Sequence, residues 1–152
     1  MNEESLNNFI IEAKKATYAT ENRPTRPSTR LKSKDLAYEN GNFKYWDTYI
    51  GNSSFSGTEV VWYEDEPVWS MVYMGKMLEG KFGGDVRKFL MAALSEIDEE
   101  NPYRGPSIFE SGTYSYRNRF SGTMDWFYGT EQIYSKDHLI YELEYRGGRL
   151  KQ

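Results

Sequence analysis

The sequence predicts an α+β fold built by internal duplication: a unit of one helix and about four antiparallel strands, present twice, giving about eight strands with two helices packed on the sheet. Three observations carry this. "GTEVVWYEDEPVWSMVYMG" (57–75) nearly recurs as "GTEQIYSKDHLIYELEYRG" (129–147). An apolar stretch with helical spacing lies upstream of each copy. Within the copies, apolar and polar residues alternate with the period of half-buried strands.

The match extends backwards, where "YENGNFKYWDTYIG" (38–51) aligns with "FESGTYSYRNRFSG" (109–122). Glu39, Gly41, Tyr45 and Gly51 meet Glu110, Gly112, Tyr116 and Gly122. After one inserted residue, Phe55, Gly57, Thr58 and Glu59 meet Phe127, Gly129, Thr130 and Glu131, and Tyr73 meets Tyr145. Weaker similarity relates "ENRPTRPS" (21–28) to "ENPYRGPS" (100–107) and "FIIEAKKA" (9–16) to "FLMAALSE" (89–96). Two copies are too few for a solenoid. The expectation is one domain over 1–152 with pseudo-two-fold symmetry, the first unit at about 5–75 and the second at about 84–148.

In chain order, "SLNNFIIEAKKATYA" sets Phe9, Ile10 and Ala13 on one helical face, with Ser5 as the expected N-cap. Loops containing Pro follow, then strands. "NGN" and "SGT" before aromatic runs, with "EDE" and "SKD" later, supply the turns. The second helix is expected in "VRKFLMAALSEIDEE", capped by Asp85, with Phe89, Leu90, Ala93, Leu94 and Ile97 as its apolar stripe. "HLIYELEYR" alternates Leu139, Tyr141, Leu143 and Tyr145 against polar neighbours and reads as a strand. The pattern permits either one twisted sheet or two facing sheets.

Composition narrows the function. The absence of Cys excludes disulfides, thiol nucleophiles and thiolate metal sites. No Gly-rich phosphate loop, zinc-ligand spacing or nucleophile elbow is present, so neither a cofactor nor a metal is expected. A net charge of −4 argues against direct nucleic-acid binding, which needs a basic surface. The polar, acidic start "MNEESLNN" is not a secretory signal, and no apolar window suffices for a membrane span. A soluble cytoplasmic protein is expected. Aromatic residues make up 16% of the chain, enough to build either a sheet core with wet edges or the walls of a pocket for a polar ligand.

Differences between the two units point to a site. The first unit carries an insertion near "TRLKSKDL" (29–36), a basic arm with Arg30, Lys32 and Lys34, preceded by Arg23 and Arg26. A guanidinium beside Ser33 can hold a carboxylate or phosphate; the bland alternative is a solvated loop. Asp47 shares a strand face with Phe43, Tyr45 and Tyr49, and its counterpart is Asn118. It either orients a ligand, pairs with the arm or is exposed. Glu59 and Glu131 form the minimum carboxylate kit for glycoside hydrolysis, although exposure at a sheet edge is the ordinary reading. In "YRGP" (103–106), Tyr103 and Arg104 make either a ligand clamp or a turn with Arg104 on backbone carbonyls. His138 has no visible partner for general-base work.

The strings "EAKKATYA", "TRLKSKDLAYENG", "YWDTYIG", "FSGTEVVWYEDEPVWSMVYMG", "NPYRGP", "TYSYR" and "DWFYGTEQIY" span nearly the whole chain in this order. Together they resemble a bacterial domain family of unknown function, found alone and behind lambda-repressor-like (XRE-type) helix-turn-helix domains. In the arm, Arg30, Ser33, Asp35, Leu36 and Tyr38 fit the family pattern, while Leu31 and Lys32 replace its usual Pro-Gly. The resemblance implies a ligand-sensing module. With no room here for a DNA-binding domain, regulatory output is expected through a separate partner.

The expected function is therefore a non-enzymatic module for a polar or anionic small molecule, such as a nucleotide or metabolite, held between the two halves. Arg30, Ser33, Asp35, Tyr38 and Arg104 are its expected polar contacts, Asp47 its orienter, and Tyr45, Tyr49, Trp62 and Trp69 its walls, with Glu59 nearby. Strand parity keeps the four rings from sharing one wall. The alternatives are a protein-interaction module, docking a peptide or a second copy in a homodimer, and a hydrolase using Asp47 or Glu59 as acid or base.

Overall fold

The computed structural model describes residues 1–17, 25–80 and 83–151. Arg23, the first four residues of "ENRPTRPS" and the expected end of the first helix at 18–19 lie outside the described residues. The first helix, α1, spans Glu3–Ala16. Its N-cap is Asn2, whose Oδ1 accepts from the Ser5 amide at 2.8 Å. Ser5, the expected cap, sits one turn in and returns its hydroxyl to the Asn2 carbonyl. Glu3 and Glu4 in the first turn and Lys14 and Lys15 in the last complement the helix dipole. The buried stripe runs Leu6, Phe9, Ile10, Ala13 and then Lys14.

The strands are β1 (Thr25–Arg26), β2 (Lys34–Asn40), β3 (Phe43–Gly51), β4 (Ser54–Tyr63) and β5 (Glu66–Met77) before the second helix, α2 (Gly84–Ser95). They continue with β6 (Ile108–Ser111), β7 (Tyr114–Thr123), β8 (Trp126–Ser135) and β9 (His138–Arg149). All lie in one antiparallel sheet of order β1-β2-β3-β4-β5-β9-β8-β7-β6, so the choice between one sheet and two is settled as one. The short β1 takes the strand count to nine, beyond the expected eight. Asp85 sits in the first turn of α2, whose N-cap is Gly83 and not the expected aspartate.

Hairpins set the register. Glu64 and Asp65 both have positive φ, 52° and 67°, the geometry of a two-residue turn whose twist matches the flanking strands. Gly41 and Gly112 take positive φ in the β2–β3 and β6–β7 turns. At the middle of the sheet β5 pairs with β9 through Tyr73 opposite Tyr145. The β4–β5 ladder slips at Val61/Trp62 and the β8–β9 ladder at Ile133/Tyr134.

Both helices cover the same sheet face. Their apolar stripes join Leu36, Tyr45, Val61, Trp69, Met71, Tyr116, Phe127, Ile133, Tyr141 and Leu143 in one core. The opposite face is open, with Val72, Met74, Trp126 and Tyr128 more than half exposed. Among the described residues no helix is long and apolar enough to cross a membrane.

Candidate functional site

The site is assembled by side chains that cross the sheet face under the helices. Successive register places Asp47 of β3, Glu59 of β4 and Met71 of β5 in one row. The next row is Tyr49, Gly57 and Tyr73. A Cβ on Gly57 would lie 2.3 Å from the Tyr73 hydroxyl, so only glycine lets that ring lie across β4. Tyr73 thereby reaches β3 and donates to Asp47 Oδ1 at 2.7 Å. On the other side of the sheet centre, Tyr145 crosses Gly129 and donates to Asn118 Oδ1, also at 2.7 Å.

Two carboxylates are buried outright, each on a cation. Glu59 pairs with Lys14 of α1, Nζ to Oε2 2.6 Å, and both side chains are fully covered. Lys14 also donates to the Tyr103 carbonyl at 2.7 Å and lies 5.7 Å from the centre of the Trp69 ring. Glu131 receives Arg104 through two bonds of 2.9 Å, from Nε and from an Nη. Tyr116 and Tyr141 complete its shell at 2.7 and 2.9 Å. Burial, and then the Glu131 charge, push both tyrosines well above their ordinary range, so they remain hydroxyl donors.

The loop at 103–106 seals this second arrangement. Tyr103 stacks on Phe127 at 3.5 Å, the Gly105 amide donates to the Tyr116 oxygen, and Asn118 donates to the Gly105 carbonyl. Above Asp47 no such plug exists among the described residues; a cleft of about 130 Å³ opens instead. Its sheet side is Asp47, Tyr49, Phe55 and Tyr73, and its helical wall is Arg87, Leu90, Met91 and Leu94 of α2. Lys34, Gly51, Asn52 and Arg104 also line it.

Asp47 is the chemically distinctive group here. Burial is the main force raising its carboxyl, to about 7, and the Glu59 charge adds to it. The Tyr73 hydrogen bond and the charges of Lys14 and Arg104 oppose the rise without cancelling it. Burial likewise lowers Lys14, against the pull of Glu59 and with the help of Arg104. Around neutral pH, Asp47 can therefore present either a hydrogen-bond donor or a negative charge to whatever fills the cleft.

A family model described as "Domain of unknown function (DUF5680)" matches residues 47–150, from Asp47 itself to just past the last strand. The chain belongs to this family. Comparisons with curated proteins and with solved structures returned no match. The matched span of the DUF5680 domain holds Asp47, Glu59, Tyr73, α2, Arg104 and Glu131, while Lys14 and the basic arm precede it.

Of the residues expected at a site, the DUF5680 domain brings Asp47, Tyr49 and Arg104 to the cleft, and Lys34 joins them from the base of the arm. The rest of the arm is folded elsewhere. Asp35, opposite Thr48 in register, lies on the open sheet face and accepts from the Thr29 amide and hydroxyl, Thr48 and Trp46. Burial opposes that charge, but hydrogen bonds from Thr29, Ser33 and Thr48 hold the carboxyl down at about 2. Ser33 Oγ accepts from the Arg30 amide, and the Arg30 guanidinium rests on Thr48. These residues build a turn that anchors the arm across the sheet from the cleft.

Tyr38 bonds Glu12 of α1, and Tyr45 and Trp69 are core. Trp62 alternates with Val61 and falls on the open face. Glu59 is not at an exposed edge but fully buried, and the Arg104 fork is held by the Glu131 carboxylate, where a ligand or backbone carbonyls were the two expectations. Sequence reasoning missed Lys14 as a site residue, although it occupies the apolar stripe of α1 four residues after Ile10. It also missed Tyr73 and the helical wall, whose approach to β3 is a tertiary feature.

Proposed function

We propose that the domain is a non-enzymatic small-molecule-binding module whose site is the cleft between α2 and β3–β5. One observation carries this reading: a buried carboxyl that changes charge near neutrality sits on the floor of an aromatic-lined cleft. The volume, about 130 Å³, is close to the roughly 150 Å³ of an engineered cavity that holds benzene. One ring, or a fragment of that size, fits. Lys34 and Arg87 in the lining are exposed cations suited to a polar or anionic end of the ligand, such as the phosphate of a nucleotide or the carboxylate of a metabolite.

Hydrolysis by a carboxylate pair is the weaker reading, because Glu59 is committed to Lys14 and is absent from the cleft lining. A protein-interaction role has its own support in the exposed Val72, Met74, Trp126 and Tyr128 on the uncovered sheet face. A stable dimer of the purified chain would favour it.

We infer further that the two halves are copies of one unit. The strand order reads the same from either edge toward β5 and β9, apart from the added β1. Each half sends a tyrosine across a glycine and buries a glutamate on a cation. On this view the second copy is sealed by its own loop, while in the first the described residues leave a pocket. The resemblance to domains found behind XRE-type helix-turn-helix modules supports a cytoplasmic sensing role exercised through a separate DNA-binding partner.

A thermal-shift panel of nucleotides, cyclic nucleotides, sugar phosphates and small carboxylates tests the site. A ligand at about 100 times its Kd adds about 2.7 kcal/mol, which moves Tm by several degrees in a domain of this size. Met91→Trp, which fills the cleft from its half-buried rim, is expected to abolish the shift. An equal shift in that variant, or none for any compound with the wild type, overturns the assignment.

A further inference from the structure

The charges around the cleft specify more than its location. Among the described residues, two cations, Lys14 and Arg104, and three carboxylates, Asp47, Glu59 and Glu131, lie beneath α1 and α2. Lys14 is engaged by Glu59, and the Arg104 fork is taken by Glu131 in bidentate fashion. Among the described residues Asp47 makes no ion pair. Its Oδ1 accepts from Tyr73, and among the described residues no hydrogen bond reaches its other oxygen. The group is nonetheless 97% covered, since only 3% of its surface is exposed. Fully ionised, the five groups sum to one negative charge, and that charge sits at the floor of the cleft.

We propose that the cleft takes a small planar nitrogen base, an amine-bearing or amidine-like ring, whose positive N–H edge pairs with Asp47 while its ring lies among Tyr49, Phe55 and Tyr73. This rests on the reading of the cleft as a binding site and names the chemistry of its ligand. Three features select that class. A cation supplies the partner that Asp47 lacks, and in a site of low dielectric an unpaired carboxylate is costly. Aromatic faces attract a cation and stack on a planar one. An anion at the floor is disfavoured, since Arg104 is already held and Asp47 and Glu59 are both close. The exposed Lys34 and Arg87 address a different part of the ligand, so a ring with a positive edge and an acidic tail satisfies both ends.

Among the described residues, the groups facing Asp47 are Glu59 from β4, Tyr73 from β5, Lys14 from α1, Arg104 from its loop, Arg87 from α2 and Lys34 from β2. Asp47 is the one raised to about 7, so pairing with a cation below that pH requires it to release a proton. Affinity for a cationic ring should therefore fall about tenfold between pH 8 and pH 6, following the neutralisation of one carboxylate.

Benzamidine, benzamide and benzoate share one shape and differ in charge, so they test the class directly. Titrated into the isotopically labelled protein and followed by NMR at the amides of β3, β4 and α2, benzamidine is expected to bind at least tenfold more tightly than benzoate, with benzamide between. The pH dependence of benzamidine binding should vanish in Asp47→Asn, a change the fold already accommodates at Asn118. Benzoate or benzamide binding at the same amides as tightly as benzamidine would overturn the cationic class and leave the cleft as a site. No saturable change at those amides for any of the three would overturn both. Benzamidine affinity independent of pH, or unaltered in Asp47→Asn, would remove Asp47 as the recognising group.

Discussion

At the scale of single residues, the decisive feature is that Glu59 and Lys14, both fully buried, depend on each other. Removing one partner of a buried ion pair costs about 3–5 kcal/mol, because the other is left charged in a medium that solvates it poorly. Lys14→Met should therefore lower stability by about that amount in urea denaturation, and Lys14→Met/Glu59→Leu should recover most of it. A single variant as stable as the wild type would show that the pair is already neutral or hydrated. Glu59 has the strand parity of Phe55, Gly57 and Val61, and Lys14 the helical register of Leu6 and Ile10, yet neither was read as buried. What misled was the general rule that charges face water. It fails here because each charge finds the other across elements far apart in sequence, and spacing along the chain contains no such pairing. Asp47 was readable for the converse reason: its aromatic neighbours on β3 lie within a few residues of it.

At the scale of elements, β4 is shaped by the ring that crosses it. The 2.3 Å between a Cβ at Gly57 and the Tyr73 hydroxyl is far inside contact distance, and Tyr49 Cβ would lie at 2.8 Å. Gly57→Ala should displace Tyr73 from Asp47 and cost about 1–3 kcal/mol, the usual range for overpacking. In a Tyr73→Ala background the same change should cost much less, and the difference between the two backgrounds measures the crossing. Equal costs would mean that the glycine serves the backbone alone. The strands, their turns and the faces of the helices follow from periodicity and turn chemistry, which act within a few residues, so they could be read from the sequence. The pairing of β5 with β9 could not. Alternation says which side chains share a face but not which strand lies alongside, and the two strands are separated by a helix and three further strands. For the same reason the covering of Asp47 by α2 was out of reach, and with it the helical wall of the cleft.

At the scale of the whole molecule, two carboxyls on adjacent strands shape the pH dependence of stability in opposite ways. Asp35 lies on the open face at about 2, below its unfolded value near 4, so its hydrogen bonds contribute fully above about pH 4 and are lost as pH falls through 2. Asp47 lies under α2 at about 7, above its unfolded value, so it imposes no penalty below about pH 4. Between about pH 4 and pH 7 the unfolded chain has released the Asp47 proton while the folded chain retains it, and stability declines until the folded group also ionises. These two residues together favour a maximum on the acid side of neutrality. The difference in unfolding free energy between Asp47→Asn and the wild type, from urea denaturation, isolates the second contribution, because every other titrating group is common to both. It should move in favour of the variant from pH 4 to pH 7, by an amount on the order of a few kcal/mol, and then level off. A bound cationic ring should reverse this, since the ligand stabilises the charged form that the empty cleft penalises. A difference that stays flat over the whole range would mean that Asp47 titrates as an ordinary carboxylate, and would undercut the cleft's selectivity for a positive ligand.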